Sequence, residues 1–93
     1  MTISNQKTAT TFTFNEPDGG KLYLVDGQMH REDGPAIDRA NEKEWYVKGL
    51  LHRENGPARM FKKNLYCEWF LEGKHITSAS IIQSVFDEHW NNK

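Results

Sequence analysis

Two histidine–arginine pairs are the residues of this sequence whose types and spacing could do chemistry. His30–Arg31 and His52–Arg53 each begin the string His-Arg-Glu-(Asp/Asn)-Gly-Pro-Ala, and the two copies lie 22 residues apart. Histidine is a common general base and metal ligand, and arginine binds phosphate through paired hydrogen bonds. An oligomer could therefore use His30, Arg31, His52 and Arg53 to hold a nucleotide or signalling molecule between its subunits.

The recurrence of the string favours an architectural role over catalysis. An active site is needed once, whereas each unit carries the string, and a compact zinc motif needs closely spaced ligand pairs that this spacing does not supply. Cys67, the only cysteine, lies in a predicted strand on the face assigned to the core, which predicts a buried and unreactive thiol. We therefore predict a protein that is not an enzyme and has no catalytic residue, no metal site and no cofactor.

Within the string, each residue type suggests a structural task. Asp-Gly and Asn-Gly are turn dipeptides, and we expect Gly34 and Gly56 to make the turn through a positive φ. Proline cannot donate a ladder hydrogen bond, so Pro35 and Pro57 are expected at the first position of the next strand. The histidine, arginine and acidic side chains are expected to brace the turn of their own unit.

Three aromatic segments that end in glycine, at 23–27, 45–49 and 69–73, alternate with the two strings. Their final glycines are spaced by 22 and then by 24 residues. Aromatic and β-branched runs bounded by glycine predict short strands and tight turns. One unit cannot bury its own apolar face, so the units must stack on one another. The sequence predicts a mainly β protein, an antiparallel meander of tandem hairpin repeats with one C-terminal helix.

The period of two along a strand divides its side chains between two faces. The core face is predicted to carry the pairs Tyr23/Val25, Trp45/Val47 and Trp69/Leu71. The second face carries Leu24, Tyr46 and Phe70 among charged residues. Because interface cores are enriched in aromatic residues, we expect these three residues to contact a partner protein. The unpaired edges of an open sheet are also compatible with a homodimer.

Composition changes at both ends of the chain. Residues 1–10 are rich in Thr, Asn and Gln and are predicted to form a flexible tail, and residues 11–77 are assigned to the repeat domain. Residues 78–93 are assigned to a C-terminal amphipathic helix, which runs over about 79–90 and caps the array. Ser78 and Ser80 are potential helix caps, and Ile81, Ile82, Val85, Phe86 and Trp90 follow at helical spacing.

Charge and hydropathy exclude several partner classes. The net charge is −1 and the isoelectric point is near 6.4, which disfavours nucleic-acid binding and mimicry of DNA. The first residues lack the basic and apolar regions typical of a signal peptide, and no apolar run is long enough to span a membrane, so we expect a cytoplasmic protein with no membrane partner. A small basic cluster, Arg59, Lys62 and Lys63, is a further candidate contact for an acidic protein surface or a phosphate.

The motif Trp-Tyr-x-x-Gly-x-x-His-Arg-x-Asn-Gly-Pro-Ala resembles the MORN-type repeat variant. Such repeats occur in antitoxin-like proteins of the YwqK type and in small phage and large-virus proteins. The resemblance covers roughly residues 12–76 and is closest to the phage-encoded form, although this chain has fewer copies than the longer arrays. It implies a β-hairpin scaffold that binds other proteins, in some relatives lipid, and that is phage or mobile-element encoded. Given that origin, the small size, the lack of a catalytic constellation and the apolar second face, we hypothesise that the chain binds and inhibits a host protein such as a defence or toxin component.

Overall fold

A computed structural model describes residues 9–80 and 83–90 of the chain. Most of the predicted tail therefore lies outside the described residues, as do Ile81 and Ile82 of the predicted helix. Over the described ranges the chain is mainly β, with antiparallel strands and one C-terminal helix, as predicted. No helix in these ranges is long and apolar enough to cross a membrane.

Seven strands form the main path of an eight-stranded antiparallel sheet, in the order β1-β2-β4-β5-β8-β9-β10. The eighth, β3, pairs with the second half of β2, while β6 and β7 form a separate two-stranded ladder. The elements are β1 Thr11–Asn15, β2 Lys21–Val25, β3 Gln28–Met29, β4 Ile37–Asp38, β5 Glu42–Glu44, β6 Tyr46–Val47, β7 Leu50–Leu51, β8 Arg59–Phe61, β9 Tyr66–Leu71, β10 Lys74–Ser80 and α1 Gln83–Trp90.

The 22-residue period of the sequence returns in the backbone hydrogen bonds. The N–H of Tyr23 donates to the carbonyl of Ala36 at 2.8 Å, and 22 residues later the N–H of Trp45 donates to the carbonyl of Ala58 at 2.7 Å. Both bonds join an aromatic strand to the alanine that ends a repeated string. Equivalent residues of the two units therefore have equivalent backbone partners.

Three tight hairpin turns follow the aromatic segments. In each, two consecutive residues have positive φ, which is the signature of a type I′ turn and matches the twist of the flanking strands. Glycine is suited to the second position because it has no Cβ to clash. The turns and their φ angles are Asp26 and Gly27 (52° and 81°), Lys48 and Gly49 (51° and 81°), and Glu72 and Gly73 (49° and 81°).

The glycines of the repeated string have a different task from the one predicted. The φ angles of Gly34 and Gly56 lie outside the left-handed region, so the expectation of a positive φ was wrong. What these positions require is space. A Cβ on Gly34 would lie 2.9 Å from Cζ of Arg31, and one on Gly56 would lie 2.8 Å from Cζ of Arg53.

The prolines of the string lie before the next strand rather than at its first position, where they were predicted. Pro35 and Pro57 are fully buried, and the next strands begin two residues later, at Ile37 and Arg59. The intervening alanines supply the carbonyls that pair with the aromatic strands. Each proline therefore precedes its strand, where its missing N–H costs no ladder hydrogen bond.

The core lies between the sheet and α1. Trp45, Met60, Cys67 and Phe86 form a buried cluster, and Leu65, Trp69 and Trp90 pack against it. Met60 and Cys67 are paired across β8 and β9, so they share a face. Cys67 is thus buried as predicted, and Trp45 and Trp69 of the predicted core face lie in or against this cluster. Tyr23, Val25 and Val47 are only half-buried, and Leu71 is 42% exposed, so the predicted core face is not buried along its whole length.

The strand before the helix is longer than predicted. Ala79 and Ser80 pair with Cys67 and Tyr66 in the β9–β10 ladder, so a helix start near 79 was wrong. Ladder pairing with β9 outweighs the capping preference of the serines, because pairing satisfies backbone groups along the whole segment. The described helix spans Gln83–Trp90. The division into tail, repeat domain and capping segment stays a prediction.

The two extra residues of the third unit lie in the turn between β8 and β9. Across the β4–β5 turn, Ile37 pairs with Glu44, seven residues later in the sequence. Across the β8–β9 turn, the corresponding residue Arg59 pairs with Glu68, nine residues later. The turn at 62–65 takes up this difference. Strand register on either side of it is preserved.

Candidate functional site

The histidines of the repeated string connect neighbouring units. Nδ1 of His30 accepts the N–H of Lys48 at 2.9 Å, and Nδ1 of His52 accepts the N–H of Glu72 at 2.9 Å. Each acceptor meets the first residue of the type I′ turn in the next unit. The expectation that the histidines brace their own turns is met only in part: Nε2 of His30 lies 3.4 Å from Oε2 of Glu32 and Nε2 of His52 lies 3.6 Å from Oε2 of Glu54. The Nδ1 atoms instead stabilise the turn of the following unit.

The arginines of the string do brace their own corner. Cζ of Arg53 lies 3.9 Å from the centroid of the Trp45 ring, and its Nη1 donates to the carbonyl of Pro57 at 3.1 Å. Burial lowers the pKa of the Arg53 guanidinium to about 10. Arg31 makes the same two contacts one unit earlier, at the same two distances, with Tyr23 and Pro35.

A groove of about 600 Å³ lies between the two corners. It brings together Arg31, His52 and Arg53 from the predicted ligand-binding set, whereas His30 lines a separate hollow beside β1 and β2. Glu32, Asp33 and Glu54 also line the groove, and their negative charges disfavour the binding of an anion such as a phosphate. Within the described ranges no three or more His, Cys, Asp or Glu side chains are grouped to hold a metal ion.

The second face carries a row of large side chains. Leu24 pairs with Phe12 and with Met29, Tyr46 pairs with Leu51, and Phe70 pairs with His75, and residues directly opposite one another share a face. Leu24, Tyr46 and Phe70 are each half-buried. The registers between β2, β4, β5, β8 and β9 place Leu24 and Phe70 on one face of the main sheet. Tyr46 lies in the separate β6–β7 ladder, and its hydroxyl reaches Glu44 on that face. We call the second-face row the set Phe12, Leu24, Met29, Tyr46, Leu51, Phe70 and His75.

An ion-paired centre lies beside this row. Nε of Arg59 is 3.3 Å from Oε2 of Glu44, and its Nη1 donates to Oε1 of Glu68 at 3.2 Å. Glu44 is only 5% exposed, and the hydroxyl of Tyr46 donates to its Oε1 at 2.8 Å. Cζ of Arg59 also lies 5.8 Å from the Phe70 ring centroid. The charges and the aromatic rings thus form one connected surface.

The pKa values of Glu44 and Glu42, two carboxyl groups of this surface, are shifted in opposite directions. Burial raises the pKa of Glu44, and the hydrogen bond with Glu42 raises it further. The same hydrogen bond lowers the pKa of Glu42, and Arg39 lowers it too. Acid therefore protonates Glu44 before Glu42. Arg39 also binds Glu16 at 2.8 Å, which extends the ion pairs to the residue after β1.

The predicted site contained none of Glu42, Glu44 and Glu68. A signal for them exists in the alternation along the strands, because Glu42 and Glu44 share the face of Tyr46 and Glu68 shares that of Phe70. Charges at such positions usually point to solvent. Only the pairing of β8 between β5 and β9 shows that Arg59 lies between two of these acids.

The basic cluster is not one site. Arg59 lies on the second face between its two carboxylates, whereas Lys62 and Lys63 are exposed in the β8–β9 turn. Nζ of Lys62 lies 5.9 Å from the ring centroid of Trp90, on the helix. The two lysines and Arg59 therefore belong to different surfaces.

Comparison of this chain with protein-family models, with curated proteins and with solved structures finds no match.

Proposed function

We propose that this chain is a small non-enzymatic binding protein that captures a partner protein on its second face. Its resemblance to MORN-type repeat proteins of phages extends the proposal: the chain is phage or mobile-element encoded, and its partner is a host defence or toxin component that it inhibits. The observation that carries the proposal is the surface formed by Tyr46, Phe70 and the Glu44–Arg59–Glu68 centre.

This surface has the composition of an interface. Aromatic residues and arginine are enriched in interface cores, and here an arginine lies between two carboxylates next to two rings. Because the ion pairs hold Arg59 and Glu44 in place, little side-chain freedom remains to be lost on binding. The described helix packs on the opposite face, where Phe86 joins the core.

The histidine and arginine side chains of the repeated string make structural contacts, which supports a non-enzymatic role. Both histidines accept a turn N–H, and both arginines bind a proline carbonyl and stack on a ring. A catalytic histidine or arginine needs those groups for its substrate. The functional role therefore falls to the second face rather than to the string.

Affinity capture from a bacterial lysate tests the proposal when it is run on matched variants. Phe70→Asp places a charge in the second face, and Leu71→Asp places the same charge on the neighbouring residue of the core face, which is 42% exposed. We expect a protein retained by the wild type and by Leu71→Asp to be lost with Phe70→Asp and with Tyr46→Asp. Thermal unfolding of each variant confirms that it is folded.

The captured protein is then purified, and its affinity and activity are measured with and without this chain. A partner that folded Phe70→Asp and Tyr46→Asp bind as tightly as the wild type would remove the second face from the proposal. A partner whose activity is unchanged on binding would remove inhibition but leave binding.

The groove between the corners favours a second candidate function. It brings Arg31, His52 and Arg53 to one place, as the capture of a nucleotide or signalling molecule by an oligomer would require. Titration calorimetry with nucleotides and cyclic nucleotides tests it. Heat that Arg53→Ala abolishes would support this function, and no heat at high ligand concentration would remove it.

A further inference from the structure

The first strand of the sheet has one open side. Among residues 9–80 and 83–90, β1 pairs with β2 alone, and all five of its residues are exposed. Two bonds just beyond its ends fix the direction of its backbone groups, namely Asp26 N–H to Thr10 O at 2.8 Å and Glu16 N–H to Gly20 O at 2.7 Å. They mark the terminal pairs of the ladder as non-hydrogen-bonded pairs. The N–H and C=O groups of Thr11, Thr13 and Asn15 therefore point away from β2.

This edge lacks the devices that normally prevent strands from pairing. Edge strands are usually protected by charged residues, proline or a bulge, and Thr-Phe-Thr-Phe-Asn contains none of these. The opposite edge of the sheet is different, because β10 begins at Lys74 and its register shifts between His75 and Thr77. The sheet thus has one protected edge and one unprotected edge.

The sequence of β1 is complementary to itself in the antiparallel direction. With a twofold axis at Thr13, Thr13 faces its own copy and Thr11 faces Asn15, and these are the residues whose amides point outward. Phe12 then faces Phe14 of the second copy on both sides of the axis. Those pairs are the non-hydrogen-bonded ones of the new ladder, where side chains come closest. Aromatic cross-strand pairs stabilise a ladder, and no like charges oppose one another.

We propose that β1 is the self-association edge of this protein and that it pairs antiparallel with β1 of a second copy about Thr13. Six main-chain hydrogen bonds follow from three outward-facing residues in each copy. Phe12, 56% exposed, and Phe14, 46% exposed, become covered on the second face. The two sheets join into one, so that the second-face rows of both copies lie on one continuous surface.

The dimer is expected to dissociate on dilution. A ladder of five residue pairs buries less surface than a standard stable interface, which buries roughly 1,200 Å² or more. We therefore expect a dissociation constant on the order of 10–100 µM. Sedimentation velocity of the full chain, over a concentration series that spans this range, should show conversion from monomer to dimer.

A charge-reversal pair at the axis tests both the edge and the register. Thr13→Lys and Thr13→Glu each place like charges opposite one another in the dimer, so each variant alone should stay monomeric. A mixture of the two should recover the dimer, because lysine then faces glutamate. Leu71→Asp, a charge on another exposed residue far from this edge, should dimerise as the wild type does. The position is exposed in a terminal strand, and thermal unfolding confirms that the variants fold.

A wild type that is monomeric over the whole series would overturn the proposal. So would Thr13→Lys that still dimerises, or a mixture that does not recover the dimer. Association that continues to larger species would indicate pairing of β1 with the other edge, and would also overturn it. Amide exchange gives a second measurement, because exchange at Thr13 should slow by at least about tenfold between dilute and concentrated samples.

Discussion

Replacement of Gly56 by alanine should destabilise the protein through an arginine rather than through the backbone. The added Cβ would lie 2.8 Å from Cζ of Arg53 and 3.0 Å from its Nε and Nη1. Because the guanidinium is the end of a flexible side chain, it can move away. It would then leave the Trp45 ring, at 3.9 Å, and the carbonyl of Pro57, at 3.1 Å.

The two lost contacts set the size of the effect. A hydrogen bond from a charged donor contributes about 1.5–3 kcal/mol, and a cation–π contact about 0.5–2 kcal/mol. Alanine also restricts the unfolded chain, which returns roughly 0.4–1 kcal/mol. We therefore expect Gly56→Ala to lower the free energy of unfolding by about 1–4.5 kcal/mol, a large part of the stability of a domain of this size.

A double-mutant cycle in urea denaturation isolates this cause. In an Arg53→Ala background no guanidinium lies where the new Cβ goes, so Gly56→Ala should be neutral or stabilise by up to about 1 kcal/mol. Gly27→Ala is the matched control, since Gly27 has a φ of 81° and no atom within 4 Å of its added Cβ. Its backbone strain should cost about 1–2 kcal/mol in both backgrounds.

The decisive comparison is the cost of Gly56→Ala with and without Arg53. If that cost were the same in both backgrounds, the clash with the arginine would not be its cause. The requirement for glycine would then have to come from the backbone after all, as the Asn-Gly dipeptide alone suggests.

Two further predictions concern ionisable groups. Burial raises the pKa of Glu44 above its ordinary value of 4.5, so the folded protein holds this proton to higher pH than the unfolded chain does. The contribution of Glu44 to stability should therefore fall as pH rises from its ordinary pKa to its raised pKa in the folded protein. The difference in unfolding free energy between the wild type and Glu44→Gln, measured over this pH range, tests the prediction. A difference that grows with pH would contradict it. Burial also raises the pKa of the Cys67 thiol to about 11 from 9.0, so a disulfide reagent near pH 8 should modify the native protein at least about 100-fold more slowly than the urea-unfolded chain; equal rates would show that the thiol is accessible.

Local pattern was sufficient to predict the mainly β character of the chain, its C-terminal helix and the buried thiol. Side-chain alternation depends only on neighbouring residues, so the core positions of Trp45 and Cys67 could be assigned without knowledge of the fold. The hydrophobic spacing around Phe86 likewise indicated a helix that covers the core face.

Long-range contacts account for what the sequence did not predict. The acceptor role of His52 depends on the N–H of Glu72 in the next unit, 20 residues away. The burial of Glu44 depends on Arg59 from a strand paired with its own. The start of α1 depends on how far β10 pairs with β9. Each of these requires the register of the sheet, which turn dipeptides and capping preferences do not contain.

The two-residue insertion in the β8–β9 turn bears on how this protein tolerates changes in length. An insertion of two residues keeps side-chain alternation, whereas an insertion of one within a strand would exchange the faces of every residue after it. The type I′ turns at Lys48–Gly49 and Glu72–Gly73, which the histidines tie to the preceding unit, leave no such freedom at the other end of the strands. Insertions and deletions should therefore accumulate during evolution in the turns at 39–41 and 62–65, while the type I′ hairpin turns at the opposite ends of the strands keep a constant length.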